Sequence, residues 1–319
     1  MPQPLLNNIK PQNIREGVFC TLAFFNLYNL PLTSQRVWEL LLGVKSTLPE
    51  VQQMLKQLVL ENKIIESQNL FALEKWDDAL YRSNQSEITK KLKKVERYFN
   101  WLAIIPFVRQ ISVINSLALG TADSDSDIDF FVVTRPGSLY FVRSVVIVLF
   151  RLLGVYKTRE KIKDRFCFGF FVTLKNLQME QLMLKPYDPY FVFWLANMRP
   201  IFGREEYLEL MQKNAWINQY LPNFESKQRL ESIKKFYLSG KFVKFILELL
   251  LWIPVMIVEP LLRRIHINHT FSLKENLSMS STTIANKSML KLHASDIRKA
   301  LAEEHEKSIH HYVVKDAEL

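Results

Sequence analysis

The sequence predicts an α/β protein, and three observations carry that prediction. Short apolar runs of strand length alternate with a helix-length apolar pattern between residues 101 and 174. Three helical periods and two short extended pieces precede that region, and mostly helical patterns follow it. At 319 residues the chain suffices for one large domain or two to three smaller ones, and 48% hydrophobic against 23% charged residues is ordinary for a globular protein. The pattern divides into residues 1–80, a connecting helix over 81–100, a central α/β domain over 101–225, and a helical region with a tail over 226–319.

From Ile14 the periodicity gives one helix in GVFCTLAFFNLYN, a second in QRVWELLL with Thr33 or Ser34 as its cap, and a third in LPEVQQMLKQLVLEN. KIIE and LFALE read as short strands about a Ser67-Gln68-Asn69 turn. Three helices followed by a hairpin is the order of a winged helix. DNA is an unfavoured partner, because from Arg15 to Lys75 six basic residues meet six acidic ones, and a duplex-binding face needs a basic surplus. A scaffold or protein-contact role fits better. Residues 77–100 read as a polar connecting helix whose Lys90, Lys91, Lys93 and Lys94 form a solvated face.

After the turn Arg135-Pro136-Gly137, residues 138–153 restore a helical pattern, and 166–174 read as a strand. DPYFVFWLANMRPIFG and REEYLELMQKNAWINQYLPNF look helical and rich in aromatic anchors. Residues 242–262 are the most hydrophobic piece, but Lys244, Glu248 and Glu259 lie within it and Pro254 and Pro260 interrupt it. The charge-free stretch 249–258 is too short for a bilayer of about 30 Å, so a buried or interfacial helix is expected there, with membrane contact open. The polar segment 268–281 reads as a loosely ordered tail, and HASDIRKALAEEHEKSIHHYV as a closing amphipathic helix.

The net charge of +10 and a pI near 9.4 lean toward phosphate-bearing partners. Cys20 and Cys167 lie far apart among apolar neighbours, which suits buried thiols better than a disulfide or a zinc framework. All six histidines fall late in the chain, none in a ligand pattern such as HExxH. The start MPQPLLNNIKPQN lacks the basic, apolar and small-residue regions of a secretory signal, so a cytoplasmic location is the expectation.

The chemistry concentrates in ISVINSLALGTADSDSDIDFFVVT, residues 111–134. Asp127 and Asp129 stand at i and i+2, so on an extended strand their carboxylates share a face and repel unless a cation lies between them. A calcium loop is ruled out, because Ile128 occupies the place of its turn glycine and Thr134 that of its bidentate glutamate. An aspartyl phosphotransferase of the haloacid dehalogenase kind needs its apolar strand before the pair, whereas FFVV comes after. The metal-binding pair of a glycosyltransferase typically follows its strand and lacks a serine turn upstream.

The stretch resembles the signature of the nucleotidyltransferase superfamily that includes DNA polymerase beta: a strand, ISVI; a turn, Asn115-Ser116-Leu117-Ala118-Leu119-Gly120; a loop, TADSDS; and Asp127-Ile128-Asp129 running into a second strand. The resemblance implies a nucleotidyltransferase fold with a mixed sheet, and a transfer of nucleoside monophosphate from a nucleoside triphosphate to a hydroxyl. It implies two Mg²⁺ ions at Asp127 and Asp129, and triphosphate oxygens held by the turn of Asn115, Ser116 and Gly120. The acceptor stays open among a small molecule, a protein side chain and an RNA end. Two departures stand out. Asn115 replaces the usual glycine, which suits a left-handed backbone, and the strand FCFGFFVTL carries no third carboxylate. Asp164 is the nearest candidate for that role and Asp188 a distant second. Arg143, a charge inside an apolar helix, is the expected phosphate contact. A catalytically inactive nucleotide- or RNA-binding protein that keeps the fold is the alternative.

Overall fold

The computed structural model describes residues 11–277, 283–292 and 297–314. The chain opens with α1 (Ile14–Asn26), β1 (Leu32–Thr33), α2 (Ser34–Glu39) and α3 (Leu48–Leu60), then β2 (Ile65–Ser67) and β3 (Leu70–Ala72). Side-chain caps start the three helices where the sequence placed them. Asn13 accepts from the Glu16 amide, Thr33 from Arg36, and Thr47 with Glu50 forms a capping box. Gln68 and Asn69 both take positive φ, of 54° and 63°, the backbone a two-residue hairpin requires. β1 joins that hairpin to give a three-stranded sheet in the order β1-β3-β2.

The long α4 (Asp78–Ala103) leads into the central sheet: β4 (Val108–Val113), the short α5 (Asn115–Leu119), β5 (Ile128–Thr134), α6 (Leu139–Leu152) and β6 (Phe166–Thr173). Then follow α7 (Pro189–Asn197), β7 (Arg199–Phe202), α8 (Arg204–Lys213), the 40-residue α9 (Leu238–Leu277), β8 (Ile284–Ala285), β9 (Met289–Lys291) and α10 (Arg298–Ile309). The sheet order is β7-β4-β5-β6-β9-β8; β5 and β6 run parallel and every other neighbouring pair antiparallel, so the sheet is mixed. The helix after β5 is what lets β6 return parallel, since a parallel neighbour needs a crossover.

Period-two alternation divides the strands between two cores. Phe131, Val133, Phe170 and Val172 pack with α7 and with the N-terminal helices on one face, while Phe130, Val132, Phe166 and Phe168 pack with α4 and α6 on the other. A register shift between Asp129/Cys167 and Phe131/Phe170 marks a bulge in β6 at Phe168–Gly169, so Cys167 and Phe170 share a face although three positions apart.

Several expectations change. The segment 188–203 was expected as helix throughout, but Met198 leaves the helical conformation and Arg199–Phe202 forms an edge strand beside β4. Residues 283–292 return β8 and β9 to the central sheet, so the expected boundary at 225/226 does not separate two units. The tail read over 268–281 is helical through Leu277, and its last four residues lie outside the described ones. The lysine face of α4 is not wholly solvated, because Lys91 is fully buried. The helix over 242–262 is not a core helix: only 11% of the most apolar window of Leu238–Phe271 is buried, and by length and composition that segment suffices to cross a membrane.

Candidate metal and nucleotide site

Three groups meet where β5 and β6 begin. Asp127 ends the loop before β5, Asp129 is the second residue of β5, and Cys167, the second residue of β6, is its partner in the parallel register. A carboxylate oxygen of each aspartate and the Cys167 Sγ all lie within 4.8 Å of one another, and no other such group of acidic, histidine or cysteine ligands forms among the described residues. Burial, then the charge of Asp127, raises the Asp129 carboxyl above the ordinary carboxylate range. Burial, then the charge of Asp129, pushes the Cys167 thiol well up. Lys157 donates to Asp127 Oδ2, so an ammonium already balances one of the two acids.

The loop that delivers Asp127 is held at three points. Asp123 Oδ1 accepts from the amides of Asp125 (3.0 Å) and Ser126 (2.8 Å) and from the Ser126 hydroxyl (2.6 Å). Lys91, fully buried, donates to the Ser126 carbonyl (2.8 Å) and to Asp164 Oδ1 (2.6 Å). The Asp164 amide donates to the same carbonyl at 3.2 Å, and Lys94 donates to the Asp164 carbonyl at 2.7 Å. Beside this loop lies an open groove of about 620 Å³, whose lining includes Lys94, Lys161, Lys163 and Arg165.

The turn of Asn115 and Ser116 reaches the pair. The Ile114 amide donates to the Asp129 carbonyl at 3.0 Å. Asn115 has φ 56°, the left-handed conformation for which asparagine was expected to substitute for glycine; its Oδ1 accepts from Trp194 Nε1 at 2.8 Å, and its side chain beside Asp129 opposes the rise of that carboxyl. Ser116 stands in the first turn of α5, partly exposed. Gly120 is further away in role: at φ 89° it ends α5, its amide donating to the Ser116 carbonyl at 3.0 Å.

Three expected residues are not brought into the cluster. Asp164 spends its carboxylate on Lys91 and anchors the loop instead of completing the acidic group. Asp188 caps α7 by accepting from Phe191, and pairs with Arg298. Arg143 lies in α6, which covers the opposite face of the sheet; it is buried near Tyr140 and Tyr156, with no hydrogen-bond partner for its Nε or Nη1. Conversely, sequence reasoning missed Cys167 as the third group and did not single out Lys157. The missing signal was register, because a single sequence does not say which residue of β6 lies beside Asp129.

The donor set fits one divalent cation better than two. Two carboxylate oxygens suit a hard ion such as Mg²⁺, whereas a thiol held protonated supplies no third anionic oxygen for a second one. No family model matches the chain, and no curated protein or solved structure is significantly similar to it. The fold and site therefore define a class no finer than a mixed-sheet α/β protein with a paired-carboxylate centre.

Proposed function

We propose that the chain is a metal-dependent nucleotidyltransferase, moving a nucleoside monophosphate from a nucleoside triphosphate to a hydroxyl acceptor. The carrying observation is the convergence of Asp127 and Asp129 on one point, with the turn of the left-handed Asn115 and Ser116 tied to Asp129 through the Ile114 amide. Asp127 and Asp129 would hold a divalent ion, which supplies charge neutralisation for the triphosphate and its leaving group. Lys157, already on Asp127, contributes the positive charge that a second ion would otherwise bring. Ser116 would hydrogen-bond a phosphate oxygen, and Asn115, beside Asp129, would help to orient it. The winged-helix reading of the N-terminal unit rests on its element order alone, and that unit packs into the core on the same face of the sheet as Asp129 and Cys167, where a scaffold role fits it.

A second reading, binding of nucleotide or RNA without turnover, is favoured by one observation: Cys167 stands where a third carboxylate would complete the centre. Pyrophosphate release from a panel of triphosphates with Mg²⁺ or Mn²⁺, beside calorimetry on the same mixtures, separates the two. Release that depends on metal and disappears in Asp129→Asn supports transfer. Metal-dependent binding with no release across small-molecule, protein and RNA acceptors supports the second reading, and no metal-dependent binding at all sinks both.

A further inference from the structure

Along the long helix α9 four polar residues bond to the body of the protein, while a stripe of apolar ones faces out. Lys244 donates to the carbonyls of Ala103 (3.0 Å) and Val108 (2.7 Å). Glu248 accepts from both terminal nitrogens of Arg109 and from the Phe107 amide, each at 2.7 Å. Glu259 accepts from the amides of Tyr140 (3.0 Å) and Phe141 (2.8 Å) at the start of α6, and His266 meets Ser144 at 2.9 Å. Positions 244, 248, 259 and 266 fall on one helical face. On the other face Phe245, Leu249, Ile253, Ile257 and Leu261 are between 60% and 71% exposed, within a run of exposed apolar side chains from Phe242 to Ile265. At about 1.5 Å per residue that run is roughly 36 Å long, far more apolar surface than a soluble monomer ordinarily leaves open.

The surroundings say what covers it. An open cavity of about 630 Å³ lies at the start of the helix, lined by Arg109, Arg204, Lys234, Lys235, Lys241 and Lys244 against two acids, Glu206 and Glu248. Phe245 belongs both to that cavity and to the exposed apolar face. Arg263 and Arg264 add positive charge toward the other end. A second copy of the chain, parallel or antiparallel, would bring basic end against basic end, whereas an anionic lipid surface complements both the charge and the apolar stripe. Lys244, Glu248 and Glu259 pin the helix side-on along its length, which a spanning arrangement would have to undo at the cost of charges in lipid.

We propose that this protein docks on anionic bilayers through α9 lying in the plane of the interface, with a phospholipid headgroup in the basic cavity beside Phe245. The test is flotation of the full chain with vesicles of phosphatidylcholine alone or containing phosphatidylglycerol. The expected result is at least tenfold more protein bound to the anionic vesicles, lost in Ile253→Glu/Ile257→Glu, whose exposed positions leave folding intact by circular dichroism. Lys235→Glu/Lys241→Glu should remove the preference for phosphatidylglycerol, and a sodium carbonate wash should release the bound protein. Wild-type protein that stays with the soluble fraction overturns the proposal, as does binding that the double glutamate variant retains. Self-association abolished by that variant without vesicle binding assigns the face to a second copy, equal binding to both lipids removes the headgroup, and resistance to carbonate refutes the in-plane arrangement.

Discussion

His305→Gln separates acid sensitivity from the rest of the protein's stability. His305, in α10, is fully buried against α1; its Nε2 lies 2.8 Å from the Cys20 carbonyl, which only accepts, so the proton sits on Nε2 and Nδ1 faces the Tyr187 hydroxyl at 3.4 Å. Burial depresses its pKa from 6.5 to about 4, with the bond to Cys20 opposing. The folded state thus binds its proton later than the unfolded state. Stability from this residue is fully present above about pH 6.5 and drains as pH falls toward 4. A difference of about 2.5 pH units at about 1.4 kcal/mol each is about 3.5 kcal/mol, of which about 3 is lost by pH 4, where the folded imidazole is half protonated. Urea unfolding followed by tryptophan fluorescence at pH 7 and pH 4 reads it directly. Glutamine keeps a donor for Cys20 and costs about 1 kcal/mol at pH 7, but its pH-dependent loss should be smaller than wild type's by about 3 kcal/mol. His266, also lowered to about 4, titrates in both proteins and cancels in the comparison. Equal losses in the two proteins would refute the buried, neutral imidazole.

Two further substitutions test the site and the edge of the sheet. Because burial and Asp127 raise the Asp129 carboxyl, its ionised form burdens the metal-free fold, and Asp129→Asn should stabilise the protein by about 1 kcal/mol near pH 7.5 in chelator. That gain should shrink toward the ordinary carboxylate range, where the folded wild type is already protonated, and scanning calorimetry at pH 7.5 and 4.5 measures it. Gly203→Ala should be severely destabilising: the residue has φ 80°, and a Cβ there would lie 2.1 Å from the Arg109 carbonyl oxygen and 2.7 Å from the Gln110 Cα. A left-handed alanine pressed into backbone costs about 3 kcal/mol or more, seen as a lower urea midpoint.

What the sequence disclosed was local. Caps, helical periods and the Asp-x-Asp run are carried by neighbours in the chain, so α1 to α3, β4 to β6 and the convergence of Asp127 with Asp129 were readable. What stayed hidden depended on partners distant in sequence. Arg199–Phe202 is a strand because β4 offers an open edge, and Met289–Lys291 is one because β6 does. Asp164 looked like the third acid by proximity to β6, but Lys91, 73 residues earlier, claims it. Arg143 looked like a phosphate contact because a buried charge needs a reason. Its helix covers the wrong face of the sheet, and its unpartnered nitrogens have no account in the structure. The apolar run of α9 read as a buried or interfacial helix, and the choice between the two stayed open because hydropathy cannot say which side of a helix the protein occupies.

The acidic pair and the lipid-facing helix are compatible because β4 holds them apart. Its first residues, Val108 and Arg109, line the basic cavity and bond Glu248 and Lys244 of α9. Beyond its last residue, Ile114 donates to Asp129 and opens the turn of Asn115 and Ser116. Five residue steps from Arg109 to Ile114, at about 3.4 Å each, set the two ends roughly 17 Å apart. They also lie toward different faces, since α9 packs behind α6 while Asp129 and Cys167 share the register face of Phe131 and Phe170. A bilayer against α9 would therefore lie away from the face that carries the carboxylates and would not compete with a triphosphate for them. Vesicles should then leave metal-dependent nucleotide affinity within about twofold of its value in solution, because no differential contact links the two sites. A change of tenfold or more in calorimetry with and without anionic vesicles would show that β4 transmits lipid binding to the aspartates, and the separation argued from its register would be wrong.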